Sequence, residues 1–354
     1  MPQKNLVFKA GREAFDSIRR EGFAADRIGT LAGASGGAKW LVLSQLDRAV
    51  VETVLPKLTA PVHLIGSSIG AWRFACYAQA DPLRCIERFE DAYIEQRYSD
   101  EPDIHEISAK TREILDIILG DGGVAEILDN PLFRFHVMTV RSRHLLASEN
   151  RALLGAGLIA AASMNAIRRQ TLGWFFERAL FFDERAIPPF IDANGFPLQT
   201  IPISAGNLED VIVATGAIPL VLSGVPDIAG ANPGMYRDGG VIDYHLDLPH
   251  SAEDRFTLYP HFYERIVPGW FDKKLTWRRP DPAHVTRTIL VSPSAEFVAR
   301  LPGSKIPDRT DFHRYTPNDR IRTWRRTVAE CQALADEFRD VMERGTLAER
   351  LQPL

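Results

Sequence analysis

The feature of this sequence that most constrains its fold is a strand–turn–helix pattern that occurs twice within the first eighty residues. Residues 26–33 (DRIGTLAG) are compatible with a short strand, and a Gly/Ser/Ala cluster separates them from residues 40–55, whose apolar side chains recur at helical spacing. The run PVHLIGSS at 61–68 is typical of a buried parallel strand, and a second helical segment follows it. Such a βαβα unit predicts a parallel sheet with right-handed crossovers.

Later segments extend this architecture. Strand-like runs follow at 135–146, 179–183 and 287–294, and a helix beginning at the cap residue Asn207 is predicted over 207–219. The expected fold class is therefore α/β, in three layers, with a central, mostly parallel sheet between helices.

We expect one domain over residues 1–354, with two helical additions to the sheet. Charged and apolar residues alternate over about 81–130, which predicts a helical insertion, and about 318–348 predicts a charged amphipathic helix docked on the surface. The longest apolar run, Leu153 to Met164, is shorter than the roughly 18 to 20 residues that a membrane crossing requires. We predict a tightly packed interior helix there.

Composition and charge limit the partners that this chain can have. Of its 354 residues, 45% are apolar and 25% are charged, which is near the globular average and excludes a disordered chain. The net charge of −4 supplies no positive field for a phosphate backbone, so no nucleic acid partner is expected. The three cysteines match no disulfide framework, and the first twenty residues contain no signal-peptide run. We expect a cytoplasmic protein.

The most informative local motif is G-x-S-x-G at Gly66 to Gly70, between a predicted strand and a predicted helix. A serine on such a sharp turn is exposed at the carboxyl edge of the sheet, and the flanking glycines remove side chains that would block the turn. Its hydroxyl also lies near the amide end of a helix, where negative charge is stabilised. The motif predicts Ser68 as a nucleophile, with Gly66 and Gly70 forming the elbow around it.

A second match to the same pattern runs from Gly33 to Gly37. Both serines cannot be the same kind of nucleophile, and the richer glycine content here suits backbone N–H groups that hold an oxyanion. We assign Gly36, Gly37 and Ala38 to an oxyanion hole, and Ser35 to the loop itself. The spacing is not that of a P-loop, so ATP binding is not expected.

The third motif is Asp238-Gly239-Gly240. Standing alone, an aspartate followed by two glycines is most often a plain turn. The segment ATGAIPLVLSGV at 214–225 lies just upstream of it. The order of glycine loop, G-x-S-x-G, A-T-x-A-x-P and D-G-G is far rarer than any of its parts.

This combination resembles the patatin-like phospholipases, a family of serine acyl hydrolases, over residues 28–80 and 205–245. The family's oxyanion loop is matched by Ser35–Lys39. Its nucleophile elbow is matched by Gly66 to Gly70, and its D-G-G motif by Asp238 to Gly240. The resemblance implies a catalytic dyad without histidine, in which Ser68 attacks and Asp238 is the base. It also implies that carboxyl esters of lipid-like substrates are cleaved through an acyl-serine intermediate.

Two alternatives to the dyad stay open. Several histidines follow Asp238 in the order of an α/β-hydrolase triad: His245, the best candidate, and then His250, His261 and His284. In the other alternative, the glycine loop and the elbow hold an anionic ligand without catalysis. There is no H-E-x-x-H motif or Cys/His cluster, so neither a metal nor another cofactor is expected.

The segment 255–279 mixes aromatic residues with lysine and arginine. One interpretation is a peripheral membrane contact, because aromatic rings and basic side chains favour the headgroup region. The other, which we favour, is a long surface loop whose aromatic side chains pack inward. A lipid or ester substrate is the expected partner in both cases.

Overall fold

The computed structural model describes residues 4–189, 195–249 and 254–354. The strands are β1 (Leu6–Ala10), β2 (Ile28–Gly33), β3 (Val62–Ser67), β4 (Phe133–Ser142), β5 (Phe176–Phe182), β6 (Leu198–Pro202), β7 (Val225–Pro226), β8 (Met235–Asp238), β9 (Phe256–Pro260), β10 (Thr288–Pro293) and β11 (Leu351–Pro353). The helices are α1 (Arg12–Glu21), α2 (Ser44–Thr53), α3 (Ile69–Tyr77), α4 (Pro82–Glu95), α5 (Ile104–Leu119), α6 (Gly123–Asp129), α7 (Arg151–Ile167), α8 (Leu172–Phe175), α9 (Leu208–Thr215), α10 (Ala295–Arg300), α11 (Asp311–Arg314), α12 (Pro317–Glu330), α13 (Gln332–Glu343) and α14 (Leu347–Arg350).

The strands form one mostly parallel sheet in the order β11-β1-β10-β9-β2-β3-β4-β5-β6, and β7 and β8 lie off this path. The neighbours β10, β9, β2, β3 and β4 all run in the same direction. Their carboxyl ends therefore meet at one edge, which is where α/β sheets bind ligands. The predicted α/β fold, with a central sheet between helical layers, is confirmed.

The middle of the sheet is buried on both faces. Every residue of β2 is buried, and so is every residue of α3, which packs against β2 and β3. Strands covered on both sides carry continuous apolar runs instead of an alternating pattern. This is why the first two predicted strands could be identified from the sequence.

Each of the two segments that were predicted as helical additions contains several helices. The predicted insertion at 81–130 contains α4, α5 and α6. The single helix predicted over 318–348 is wrong, because the chain forms α12 and α13 with a break at Cys331, followed by α14. The break allows α12 to pack against α4 while α13 packs against α2.

The prediction of an interior helix at 153–164 is also wrong. Helix α7 buries Leu154, Gly157, Leu158 and Ala161 on one side, while Ile159 on the opposite side is 71% exposed. The outward side carries no charged residue that would have marked it as a surface in the sequence. Among the described residues, no helix has both the length and the apolar character needed to cross a bilayer.

The segment 255–279 is only partly a loop. It begins with β9, which pairs with β2 and β10 in the middle of the sheet. Phe256, Tyr259 and Phe262 are buried, as the inward-packing interpretation expects, whereas Trp277 is 67% exposed.

Candidate active site

Ser68 lies on the sharp turn between β3 and α3. Its φ of 53° and ψ of −131° are strained for a residue with a side chain, and such strain persists only where neighbouring contacts fix it. Two contacts do so: the Ser68 N–H donates to Thr215 Oγ1 at 2.8 Å, and the Ser68 carbonyl accepts from the N–H of Ala71 at 2.9 Å. The turn therefore presents the Ser68 hydroxyl at the carboxyl edge of the sheet.

The glycines of this elbow permit a very close approach between elements. A methyl group on Gly70 would lie 2.0 Å from the carbonyl oxygen of Gly33, at the end of β2. A methyl group on Gly66 would lie 2.4 Å from the backbone of Ala71. Both positions must lack a side chain if α3 is to begin directly against the sheet.

The register of β4 brings Asp238 to Ser68. On one side, β4 pairs first with β3, ending at Ser67 opposite Met138. At the next residue, Thr139, the antiparallel strand β8 takes over that side with Asp238 as its partner. The ends of β3 and β8 thus meet head to head, and the Ser68 hydroxyl donates to Asp238 Oδ2 at 2.7 Å.

The carboxylate of Asp238 lies in a buried setting. Asp238 is 6% exposed and Ser68 4% exposed. Burial raises the pKa of Asp238 to about 6, while the hydrogen bonds from Ser68 and from the Gly240 N–H, together with the charge of Lys273, act to lower it. The Gly240 N–H donates to Asp238 Oδ1 at 2.7 Å and fixes the orientation of the carboxylate.

The two glycines after Asp238 lie against neighbouring elements. A methyl group on Gly239 would lie 2.1 Å from the carbonyl oxygen of Met138 in β4. A methyl group on Gly240 would lie 2.4 Å from Ser35 Oγ. The Asp-Gly-Gly turn therefore fits between β4 and the glycine loop only because it lacks side chains.

The glycine loop follows β2 at the same edge of the sheet. Ser35 Oγ donates to Ser67 Oγ at 3.0 Å, and the Ser35 N–H donates to the carbonyl of Tyr244 at 2.9 Å, so this serine holds the loop in place. Gly37 and Ala38 open a short 3-10 helix, ahead of its first intrahelical hydrogen bonds. Within the described part of the chain, the N–H groups of Gly36, Gly37 and Ala38 have no hydrogen-bond acceptor.

Within the described residues, His245 makes no hydrogen bond with Ser68 or Asp238. It is fully buried, and its Nδ1 accepts a hydrogen bond from the N–H of Val267 at 2.9 Å. Its Nε2 makes no hydrogen bond within the described residues, and burial holds the pKa of the imidazole well below its usual value. His261 bonds to Tyr263, and His284 to Asp247. The remaining candidate, His250, lies outside the described residues.

A pocket of about 770 Å³ opens beside the glycine loop. Lys39, Tyr244, Phe262 and Lys273 are among its lining residues, while neither Ser68 nor Asp238 lines it. The Lys273 ammonium group lies 4.1 Å from the centre of the Tyr244 ring. Desolvation there, followed by the charges of Lys39 and Arg309, lowers the pKa of Lys273 to about 7, although much of its side chain is exposed.

Two residues at the site were not predicted from the sequence. Thr215 links the Ser68 N–H to the carbonyl of Met138, to which its own hydroxyl donates at 2.5 Å. The A-T-x-A-x-P motif was the available signal for Thr215, although it does not reveal this contact. Lys273 had no signal, because its nearness to Asp238 arises from tertiary packing of a loop.

Comparisons with known proteins are sparse. No family model matches the chain, and no curated protein matches it. Among solved structures, VipD from Legionella pneumophila is similar at 12% sequence identity and a TM-score of 0.34, over 75% of this chain and 55% of that one. A likeness of this extent assigns neither a family nor an activity.

Proposed function

We propose that this protein is a serine acyl hydrolase of the lipase or phospholipase type, which cleaves carboxyl esters of lipid-like substrates. The observation that carries the proposal is the 2.7 Å hydrogen bond between the buried Ser68 hydroxyl and the Asp238 carboxylate. A hydroxyl becomes an effective nucleophile when an adjacent base accepts its proton, and a carboxylate at this distance can do so directly. The lipid-like substrate class is supported by the motif resemblance to patatin-like phospholipases.

The first half of the reaction forms the acyl-enzyme. Ser68 Oγ attacks the ester carbonyl carbon as its proton passes to Asp238 Oδ2. The resulting oxyanion is stabilised by the N–H groups of Gly36, Gly37 and Ala38, and removing one such donor typically costs about 2.7 to 4 kcal/mol of transition-state stabilisation. The intermediate collapses when the carbon–oxygen bond to the alcohol breaks, and the alcohol leaves with the proton that Asp238 held.

The second half releases the acid. Asp238 accepts a proton from a water molecule, whose oxygen attacks the acyl-serine carbonyl. The tetrahedral intermediate expels Ser68 Oγ, which recovers the proton from Asp238. The enzyme returns to its starting state without a metal or other cofactor taking part in any of these steps.

Hydrolysis of p-nitrophenyl esters of increasing acyl length tests the proposal. We expect wild-type protein to release p-nitrophenol, Ser68→Ala to be inactive, and Ser35→Ala to retain activity because Ser35 only holds the loop. A rise in kcat/KM with acyl length would support lipid-like substrates. Folded wild-type protein without esterase activity would contradict the proposal and favour a non-catalytic anion-binding module.

A further inference from the structure

The outward side of α7 is an apolar surface on the outside of the molecule. Its exposed positions include Leu153, Ala156, Ile159, Ala160, Ser163 and Ile167, and no exposed residue from 152 to 167 carries a charge. Ile159 is 71% exposed and Ile167 is 81% exposed. A surface helix ordinarily turns a polar side to solvent, so an apolar outward side marks a surface that meets something apolar.

Helix α7 is held next to the candidate active site. Its buried side packs in a small hydrophobic cluster with Val241 and Ile242, which directly follow the Asp-Gly-Gly motif. Arg237, the residue before Asp238, donates to the carbonyls of Leu146 and Ser148 just ahead of the helix. The apolar side therefore lies at a fixed place relative to the dyad.

Exposed aromatic and basic side chains lie on the segments next to α7. Trp174, in α8 just after α7, is 62% exposed. Trp277, 67% exposed, precedes Arg278, whose guanidinium donates to the Asn165 carbonyl in α7 at 2.8 Å. Tryptophan is enriched at the boundary between apolar lipid and water.

The charges at the ends of α7 are positive. Arg151 and Arg168 are exposed at its two ends, and within the described residues neither is paired with a carboxylate. Lys274 and Arg279, near Trp277, are exposed cations as well. Two of the carboxylates close by are already neutralised: Asp272 is buried against Arg169 and Arg278, and Glu149 pairs with Arg237. Asp281, two residues beyond Arg279, is exposed, so the cations at the ends of α7 and around Trp277 outnumber the unpaired carboxylates there.

We propose that the outward side of α7, bordered by Trp174 and Trp277, docks this protein on a lipid bilayer that contains anionic headgroups. Anionic bilayers bind helices whose apolar side enters the headgroup boundary and whose neighbouring residues are basic. The inference rests on the proposed function, because docking through α7 would bring the neighbouring dyad to ester substrates in the bilayer. It differs from the membrane contact through 255–279 that was the less favoured interpretation of the sequence, and it retains from that segment Trp277 and the basic residues around it.

Charge argues against a second copy of this chain as the occupant. In a two-fold dimer the same patch faces itself, so antiparallel α7 helices would place Arg151 of one copy near Arg168 of the other. Like charges would then face each other at both ends of the contact, whereas an anionic bilayer complements them.

Vesicle flotation measures the docking separately from catalysis. Full-length Ser68→Ala protein, which leaves the lipid intact, is mixed with phosphatidylcholine vesicles with or without phosphatidylglycerol. We expect binding that increases with phosphatidylglycerol, and a loss of roughly tenfold or more for Ile159→Asp/Ile167→Asp, because charged side chains oppose entry into the headgroup boundary. Both positions face solvent, and unchanged circular dichroism would show that the variant is folded.

Ile187→Asp is the matched control. Ile187 is 81% exposed, the same as Ile167. It lies at the opposite edge of the sheet, because the neighbouring Arg185 donates to the carbonyl of Asn130, ahead of the start of β4. This variant should bind vesicles as the parent does.

Each other outcome has a definite meaning. Equal binding by the α7 variant and its parent, or no binding to either vesicle, overturns the docking surface. A dimer in solution that the two aspartates convert to monomer assigns the surface to a second copy and likewise overturns it. Vesicle binding, combined with wild-type protein that hydrolyses no ester, supports the docking surface while it contradicts the proposed function.

Discussion

At the scale of single residues, the behaviour of the site depends on one buried carboxylate. Asp238 accepts the hydrogen bond of the Ser68 hydroxyl and is the proposed base, and burial raises its pKa to about 6. A base with a pKa near the working pH combines two properties: it is ionised at neutral pH, and it holds a proton better than an ordinary aspartate.

This pKa predicts the acid limb of the pH profile. Below about pH 6 the Asp238 carboxylate is protonated and cannot accept the Ser68 proton, so kcat/KM should fall about tenfold per pH unit there. Above that pH the carboxylate is ionised, and kcat/KM should no longer change with the protonation of Asp238. A pH series with p-nitrophenyl butyrate checks it, and undiminished activity at pH 4.5 in folded protein would be inconsistent with Asp238 as the base.

Asp238→Asn keeps the shape of the side chain and removes its basicity. We expect kcat to fall by about 10² to 10⁴-fold, the usual contribution of a general base, with little change in thermal stability. His245→Ala serves as the comparison. If His245→Ala abolished turnover in folded protein while Asp238→Asn had a mild effect, a Ser-His-Asp triad would replace the dyad.

Lys273 should affect the pKa of Asp238 through its charge. Its positive charge lowers the pKa of Asp238, so Lys273→Gln should move the acid limb upward by less than about one pH unit. Lys274→Gln, at the adjacent and exposed residue, is the matched control and should leave the limb in place. A downward shift of the acid limb in Lys273→Gln would contradict the expectation that the charge of Lys273 lowers the pKa of Asp238.

Thr215 should matter for stability through the strained turn. Thr215→Val keeps the shape but leaves the buried Ser68 N–H without its acceptor and the Met138 carbonyl without the Thr215 hydroxyl, which should cost about 1 to 3 kcal/mol in free energy of unfolding. Thr215→Ser retains the hydroxyl and should lose less. Denaturant unfolding measures both, and equal stability of Thr215→Val and wild type would show that the turn does not need this contact.

At the scale of elements, the elbow depends on how closely α3 approaches β2. Gly70→Ala places a methyl group 2.0 Å from the Gly33 carbonyl oxygen, and the strain should cost about 1 to 3 kcal/mol or more of unfolding free energy and displace Ser68. Gly155→Ala, in α7, meets nothing within 4 Å and should be neutral or stabilising by up to about 1 kcal/mol. Thermal unfolding of both variants tests the comparison, and a Gly70→Ala protein as stable as Gly155→Ala would refute the close approach.

Elements were predictable from the sequence where burial follows a simple pattern. β2 and β3 are mostly apolar and show no alternation of polar and apolar residues, because both of their faces are covered, and the glycine motifs mark the turns after them. The short strand β8 was not predicted, since four residues carry no periodicity and its position depends on pairing with β4. The solvent side of α7 was missed because its residues are apolar on both sides.

At the scale of the whole molecule, the two halves of the dyad lie 170 residues apart in the sequence and meet through the register of one strand. β4 pairs with β3 up to Met138 and with β8 from Thr139, so its register decides whether Ser68 faces Asp238. The motifs identify the two residues, but the distance between them is a property of the assembled sheet. The position of Lys273 beside Asp238 likewise arises from packing of distant segments.

The most direct test of Ser68 as the nucleophile is to locate a covalent adduct. Full-length protein is treated with a fluorophosphonate, digested, and mapped by mass spectrometry. If Ser68 is the nucleophile, a single adduct forms on Ser68, is absent from Ser68→Ala and is retained in Ser35→Ala. An adduct on another residue, or labelling that survives in Ser68→Ala, would contradict it.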